Sequence, residues 1–476
     1  MKNTEQVWDL VDAKRGGFLE LSDRVWGTPE LAYGEFKSVA EHTAMLKAQG
    51  FQVVENYCGI PTSVMGEAGE GGPVIAILGE YDALPGLSQE ANIAEYRPLP
   101  GNGNGNGHGC GHNMLGSAAL LAATALKDYL AATGKPGRVR YYGCPAEEGG
   151  AAKAFMVRAG AFRDVDIAIT WHPSAMTRVD EALSLANTRM DFTFTGRAAH
   201  AAAAPHLGRS ALDAVELMNV GANYLREHVP ADSRIHYAII DAGGIAPNVV
   251  QAKATVRYAV RSRDVAGMRA LNERVRKVAE GAALMTETRV DIRVISAVSN
   301  LLGNTPLEEA MYQNLLRLGP VPFDEADRDF AARIQTTLNE EDIQSSYLRA
   351  GVAPKAATPL CDFIVPLDVK GEPMIGSTDV GDVSWVVPTV QARVATHAIG
   401  TPGHSWQITA QGKAGAAHKG LIYAAKVMAG TAVDALQEPE LIDRCKADLA
   451  KRTARAPYVC PLPADVTPPI VQPPRG

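Results

Sequence analysis

The sequence has no excess of positive charge: 46 Lys and Arg stand against 53 Asp and Glu, a formal net charge of -7 with a pI near 5.9. Nucleic acid is bound through basic faces that displace counterions from phosphate, so this class of partner is excluded. Long apolar runs are also missing. The longest, Leu115 to Leu126, is too short and too rich in small residues to span a bilayer, and no membrane span is expected. The N-terminus, MKNTEQVWDL, carries acids and leads into no apolar segment, so a secretory signal is not expected and the protein is placed in the cytoplasm. Its six cysteines, at positions 58, 110, 144, 361, 445 and 460, follow no framework spacing and are expected there as thiols. No internal repeat is visible. The alternating Gly-Asn run from Gly101 to Gly107 lacks both the Lys-Ser/Thr of a P-loop and a GxGxxG leading from strand to helix, which argues against nucleotide binding.

What is present is enough apolar chain, 46% of 476 residues, to bury one large core or two moderate ones. The first fifty residues read as helix, with a break at Trp26-Gly27-Thr28-Pro29 and a second helix from Glu35 to Gln49 that stops at Gly50. Val74 to Leu78 is a short apolar run of the kind buried on both faces of a parallel sheet. Leu87 to Gly107 reads as a long loop, and Asn113 opens an Ala- and Leu-rich helix to about Tyr129. Further strands are predicted over Arg138 to Tyr142 and Val165 to Thr170, alternating with helix, so the class is α/β with a mostly parallel sheet. From about Asn187 the texture changes. Strands over Met190 to Thr195, Ile235 to Ile240, Val249 to Val260 and Val290 to Ile295, with helices over Ser210 to Arg226 and Asp264 to about Glu287, give the ferredoxin-like order β-α-β-β-α-β. Residues 187–298 are therefore expected as a module inserted between 1–186 and 299–476. The final segment, through Pro473 and Pro474, is expected to be extended.

Residues with chemical potential fall at predicted strand ends, where open α/β sheets bind ligands. Asp82 follows the first strand, Glu147-Glu148 the second and Trp171-His172-Pro173 the third. Cys110 and His112 stand two residues apart in a glycine-rich loop, where a thiolate and a neutral imidazole can converge on a divalent ion; an isolated Cys-x-His is more often structural, but the glycines and the strand-end context favour the metal reading. Paired acids before a helix commonly complement its dipole. Because adjacent side chains diverge, one of Glu147 and Glu148 could instead bind metal while the other holds a water, as metal-assisted hydrolysis requires. His404, in a glycine-hinged loop, competes with His397, and pattern alone does not choose between them. His200 lies among small residues with no evident local role.

In these residues the sequence resembles the M20 family of metallopeptidases and amidohydrolases, and within it the p-aminobenzoyl-glutamate hydrolase B-subunit group. The matching stretches, in family order from about residue 79 to 407, are GEYDALPGLSQ, NGHGCGHN, PAEEGG, WHP, the segment from Gly196 to His228, GGIAPNVVQ, GSTDVGDVSWVVP and GTPGHSW. The resemblance implies two divalent metal ions per subunit, Zn or Mn, with Cys110 bridging and His112, Glu148, His172 and His404 as the other ligands, which favours His404 over His397. It implies Glu147 as general base, taking a proton from the attacking water and passing it to the leaving amine, and Asp82 as the group that holds a ligand imidazole in its working tautomer. The inserted module would be a dimerisation or lid domain. His200 would reach across the dimer to the oxyanion, and Asn248 and Arg261 would hold the substrate carboxylate. The implied activity is hydrolysis of the amide between an acyl or aroyl group and an amino acid, p-aminobenzoyl-glutamate being the leading substrate. A dipeptidase acting on β-alanyl or basic dipeptides, a cysteine hydrolase using Cys110, and a non-catalytic partner subunit are the alternatives. The partner chain would be a second copy, making a homodimer, or a related A-type subunit. Two departures stand out: Asn113, where many relatives carry Asp, and the length of the loop from Leu87 to Gly107.

Overall fold

The computed structural model describes residues 4–100, 105–372 and 376–472. Eleven strands form among them: β1 (Gln52–Glu55), β2 (Val64–Glu70), β3 (Val74–Glu80), β4 (Gly137–Cys144), β5 (Ile167–Ser174), β6 (Arg178–Val179), β7 (Ala186–Thr195), β8 (Arg234–Asp241), β9 (Lys253–Ser262), β10 (Arg289–Val298) and β11 (Thr389–Ala395). Seven of them build one mixed sheet in the order β1-β2-β4-β3-β5-β11-β6. Its centre, β4, β3, β5 and β11, is parallel, and β1, β2 and β6 pair antiparallel at the edges.

The apolar run of β3 behaves as its composition requires. Every residue of the strand is buried, and because side chains alternate across a sheet, Ile75 and Ile77 enter one core while Val74, Ala76 and Leu78 enter the other. The first core lies under the helices Thr4–Trp26, His112–Thr133 and Gly415–Gln437 and includes Leu21, Leu121 and Val427. The His112–Thr133 helix is buried from its first residue to Leu126 and needs small residues to reach the sheet: a Cβ on Gly116 would lie 2.5 Å from the Glu80 carbonyl oxygen.

The other four strands form an antiparallel sheet in the order β10-β7-β9-β8. The helices Ala211–Leu225 and Val265–Met285 cover one face and are started by Ser210 and Asp264, whose side chains accept from Asp213 N and Gly267 N. Met190, Phe192, Phe194, Val256, Tyr258 and Val260 fill the core beneath them. This is the ferredoxin-like arrangement expected from the sequence.

Several expected boundaries move. The strand foreseen from Val249 begins only at Lys253, because Val249 bridges His200, Val250 N bonds Ala199 O, and Gln251 O accepts from Ala211 N. Strand β5 continues to Ser174, so His172 stands inside the strand rather than beyond it. The helix after the Gly-rich loop starts at His112, one residue early, and runs on to Thr133. Strands β1, β2, β6 and β11 were not foreseen. Residues 87–100 and 105–107 carry no helix or named strand, in keeping with a loop. Gly101 to Asn104, like Pro473 and Pro474, lies outside the described residues. Among the described residues no helix is long and apolar enough to cross a membrane.

Candidate metal centre

The carboxyl ends of three neighbouring parallel strands deliver the acids and one imidazole: Glu80 and Asp82 from β3, Glu147 and Glu148 from β4, His172 from β5. The Gly-rich loop brings Cys110 and His112 across them. Gly111 adopts φ +79°, a left-handed turn that a side chain would strain, and this turn starts the helix at His112. The loop after β11 closes the group, tied to the first loop by a hydrogen bond from His404 N to Gly109 O of 3.1 Å.

Within this group Cys110 Sγ lies 3.4 Å from His172 Nε2. His112 Nδ1 lies 2.9 Å from Asp82 Oδ1, and the other Asp82 oxygen accepts from Glu148 N at 2.8 Å. His112 Nε2 lies 3.4 Å from Glu80 Oε2, and His404 Nε2 lies 3.4 Å from Glu148 Oε2. Hydrogen-bond logic sets both buried tautomers. His172 Nδ1 faces only the Pro173 carbonyl, at 2.8 Å, and must carry the proton, which leaves the Nε2 lone pair towards Cys110. His112 likewise gives its Nδ1 proton to Asp82.

Burial dominates the electrostatics. It raises the Glu147 carboxyl well above the ordinary range, and the neighbouring carboxylates Glu80, Glu148 and Asp379 add to the effect. It also raises Glu148 and the Cys110 thiol, and holds His172 well below its usual value, hence neutral. His112 is the exception: burial lowers it, but Cys110 and Asp82 outweigh burial and hold a proton there. A metal ion would take that proton's place.

The donor set fits such ions. His112 Nε2 and Glu148 Oε1 are buried without a hydrogen-bond partner. Ligand atoms converge within 4.8 Å in three groups: Cys110, His112 and His172; Cys110, Glu148 and His404; Glu80, His112 and Glu147. The Cys110 sulfur belongs to two of them. Thiolate, imidazole and carboxylate together suit zinc and similar divalent ions.

His397 is buried, bonds Thr396 Oγ1 at 2.9 Å and joins none of these groups. Asn113 is turned to structural work, donating to Ser22 Oγ at 3.0 Å and to Gly412 O at 3.1 Å. Arg261 lines the cavity in front of the ligand cluster, about 610 Å³ in volume, and donates to Ser377 Oγ at 3.0 Å. His200 and Asn248 do not line it. Both are exposed, next to each other through the Ala201 N to Asn248 O bond of 2.9 Å.

Residues not singled out from the sequence also stand here. Glu80 bonds the fully buried Lys153 Nζ at 2.6 Å, and Asp379 bonds it at the same distance. Glu80 could have been found from its place two residues before Asp82, on the same side of an extended chain. Lys153, on a helix with no periodic marker, offered no signal.

Comparison with known proteins agrees with this geometry. The family described as Peptidase family M20/M25/M40 matches residues 76–344. The chain is 45% identical over 472 residues to the B-type subunit of p-aminobenzoyl-glutamate hydrolase from Escherichia coli, covering 97% of each chain. It is 28% identical over 438 residues to the Xaa-Arg dipeptidase of Mus musculus, covering 89% of this chain and 86% of the relative. Its fold is shared by a dinuclear metal binding peptidase of the M20 family from Bacillus subtilis, at a TM-score of 0.56 and 19% identity, over 90% of this chain and 99% of that one. With the family match spanning more than half of the chain, and a relative identical at nearly half of its positions, the protein belongs to peptidase family M20/M25/M40 and is a metal-dependent amide hydrolase.

Proposed function

We propose that the protein cleaves the amide between an acyl or aroyl group and an amino acid, with p-aminobenzoyl-glutamate the leading substrate, in a site that holds two divalent ions, Zn or Mn. The observation that carries this reading is the position of Cys110, shared between a cluster with His112 and His172 and a cluster with Glu148 and His404. Bound there, the ions would polarise the scissile carbonyl and bring the pKa of water down to about 7. Glu147, beside the cluster, takes the proton of the attacking water at a carboxylate oxygen and delivers it to the leaving nitrogen. Its raised pKa suits a group that must both accept and release a proton. Asp82 holds His112 with Nε2 free, and Arg261, at the cavity wall, receives a carboxylate of the substrate.

His200 accepts at Nδ1 from Ala202 N and Ala203 N, at 3.2 and 3.1 Å, so its proton is on Nε2 and available to an oxyanion. Exposed beside Asn248, it serves the site of a partner chain, either a second copy or a related A-type protein. The relative named as one component of a hydrolase supports that reading. Edge strand β8 supports it too, with Tyr237, Ile239 and Ile240 exposed and Ile245 beyond its end. On this reading 187–298 is the dimerisation or lid domain, and 1–186 with 299–476 the catalytic domain. All six cysteines are free, which agrees with the cytoplasmic location expected from the sequence.

The dipeptidase alternative rests on the more distant relative. The cysteine-hydrolase alternative is opposed by burial and by Glu148, which raise the Cys110 thiol. The deciding experiment is removal of metal: chelator-treated protein should lose amidase activity and regain it with added Mn or Zn. Full activity in verified metal-free protein overturns the proposal, and a metal-loaded preparation inactive on every N-acyl amino acid tried would favour a non-catalytic partner role.

A further inference from the structure

One face of the four-stranded sheet packs under its helices, and the opposite face is polar by alternation. On β7 that face carries Asn187, Arg189 and Asp191, and on β9 it carries Arg261 and Arg257, with Asn187 paired to Arg261 and Asp191 to Arg257 in register. The charges on this face are unevenly answered. Arg257 is held in a two-point ion pair by Asp191, at 2.7 and 2.9 Å. Arg189 and Arg261, at the end of the sheet that lines the cavity beside Glu147 and Glu148, form no ion pair among the described residues. Of the other arginines of the cavity, Arg178 pairs with Glu181 and Arg393 with Asp180, while Arg349, which forms no ion pair among the described residues, is exposed to solvent.

Arg189 is held in place without being neutralised. Its Nη2 donates to the Glu148 carbonyl at 3.0 Å, and its Nη1 lies over Gly149, where a Cβ would come within 2.1 Å of it. Burial disfavours the charge on both guanidiniums; Arg189 adds to the effect on Arg261, while Glu148 and Glu147 offset part of it on Arg189. Beside them, Asn187 Oδ1 and Arg261 Nε are buried with no hydrogen-bond partner, and Asn187 is only 8% exposed. Two half-buried cations at one end of a cavity, one of them with an idle Nε–H, are the complement of a ligand with two carboxylates.

We propose that Arg189 is a specificity residue that receives the side-chain carboxylate of the substrate's amino acid, while Arg261 receives its α-carboxylate. The amide cleaved is then that of an N-acylated dicarboxylic amino acid. This rests on the amidohydrolase reading above and narrows it, since an amino acid with a neutral side chain would leave Arg189 buried and unanswered.

The test compares p-aminobenzoyl-L-glutamate with the isosteric p-aminobenzoyl-L-glutamine on the full-length, metal-loaded protein, in wild type, Arg189→Gln and Arg189→Lys. Wild type should favour the glutamate compound in kcat/KM by about 10- to 100-fold, the usual worth of a charge-assisted contact. Arg189→Gln should abolish that preference, mainly through KM for the glutamate compound, with turnover of the glutamine compound kept, and Arg189→Lys should restore part of it. Equal losses on both compounds would show that Arg189 only supports the Glu148 peptide, and an equal wild-type rate on both would also overturn the proposal. If wild type cleaves neither compound, the amidase reading fails by itself. Calorimetric binding of the same two compounds then decides: tighter glutamate binding that Arg189→Gln removes upholds the seat, and equal binding refutes it.

Discussion

Replacing Asp82 by Asn keeps the size of a side chain that has no exposed surface and removes one of its two acceptors. Both carboxylate oxygens accept in the native site, from His112 Nδ1 at 2.9 Å and from Glu148 N at 2.8 Å. An amide has one oxygen and one NH₂, so it can satisfy only one of these donors. If its NH₂ faces His112, Nδ1 must become the acceptor and the ring proton moves to Nε2, the nitrogen that faces the ligand cluster. If its NH₂ faces Glu148 N, two donors meet in a buried place, and an unsatisfied donor there costs about 1–3 kcal/mol, or roughly 5- to 150-fold in an equilibrium. The first arrangement takes the lone pair that a metal would use, and the second pushes away the peptide that positions Glu148, so affinity should fall about 10- to 100-fold, the usual effect of losing a group that orients a ligand. Competition with a chelating indicator would measure the affinity, and far-UV circular dichroism would show that the variant is folded. A folded Asp82→Asn protein that binds metal as tightly as wild type would refute the assignment of His112 as a ligand oriented by Asp82.

The remaining expectations concern the proton carrier and a buried acid remote from the ligands. Glu147→Gln should retain bound metal and lose about 10²- to 10⁴-fold in kcat, and a variant with near-normal turnover would remove Glu147 from the base role. Asp382 is pushed up to about 7 by burial, although Ser299 N, Ser299 Oγ and Tyr458 OH all donate to it. A carboxyl whose pKa is higher in the folded state than in the unfolded chain stabilises the fold while protonated. That contribution is fully present below about pH 4 and is lost as pH rises towards about 7, a change on the order of 4 kcal/mol. Asp382→Asn should flatten this slope in denaturant midpoints measured between pH 4.5 and 7.5, and an unchanged slope would show that the group does not titrate there.

Local pattern was enough where a residue's partners are its neighbours or where burial acts on a whole segment. The apolar run of β3, the Ser210 and Asp264 caps and the alternation of β7 and β9 follow from such short-range rules. Strand β11 was illegible for the opposite reason. Its Gln391 and Arg393 interrupt the apolar run that would mark a buried strand, yet they are tolerated there because Asp180, some two hundred residues earlier in the chain, accepts from both at 2.6 and 2.7 Å. Lys153 was hidden in the same way, since only Glu80 and Asp379 make its burial tolerable.

The same division runs through the site. The sequence by itself determined the kinds of ligand available and their clustering at strand ends, because residue type and strand periodicity are local properties. Spacing did not separate His404 from His397, which stand seven residues apart, and the resemblance favoured His404 without a physical reason; the tertiary structure supplies one, since one loop closes on Gly109 and brings His404 to Glu148, while His397 stays with Thr396. It alone showed that Arg189 faces the cavity without an acid while Arg257, on the same face, has one. Whether a charge is answered depends on which distant segments meet around it, and spacing along the chain does not encode that.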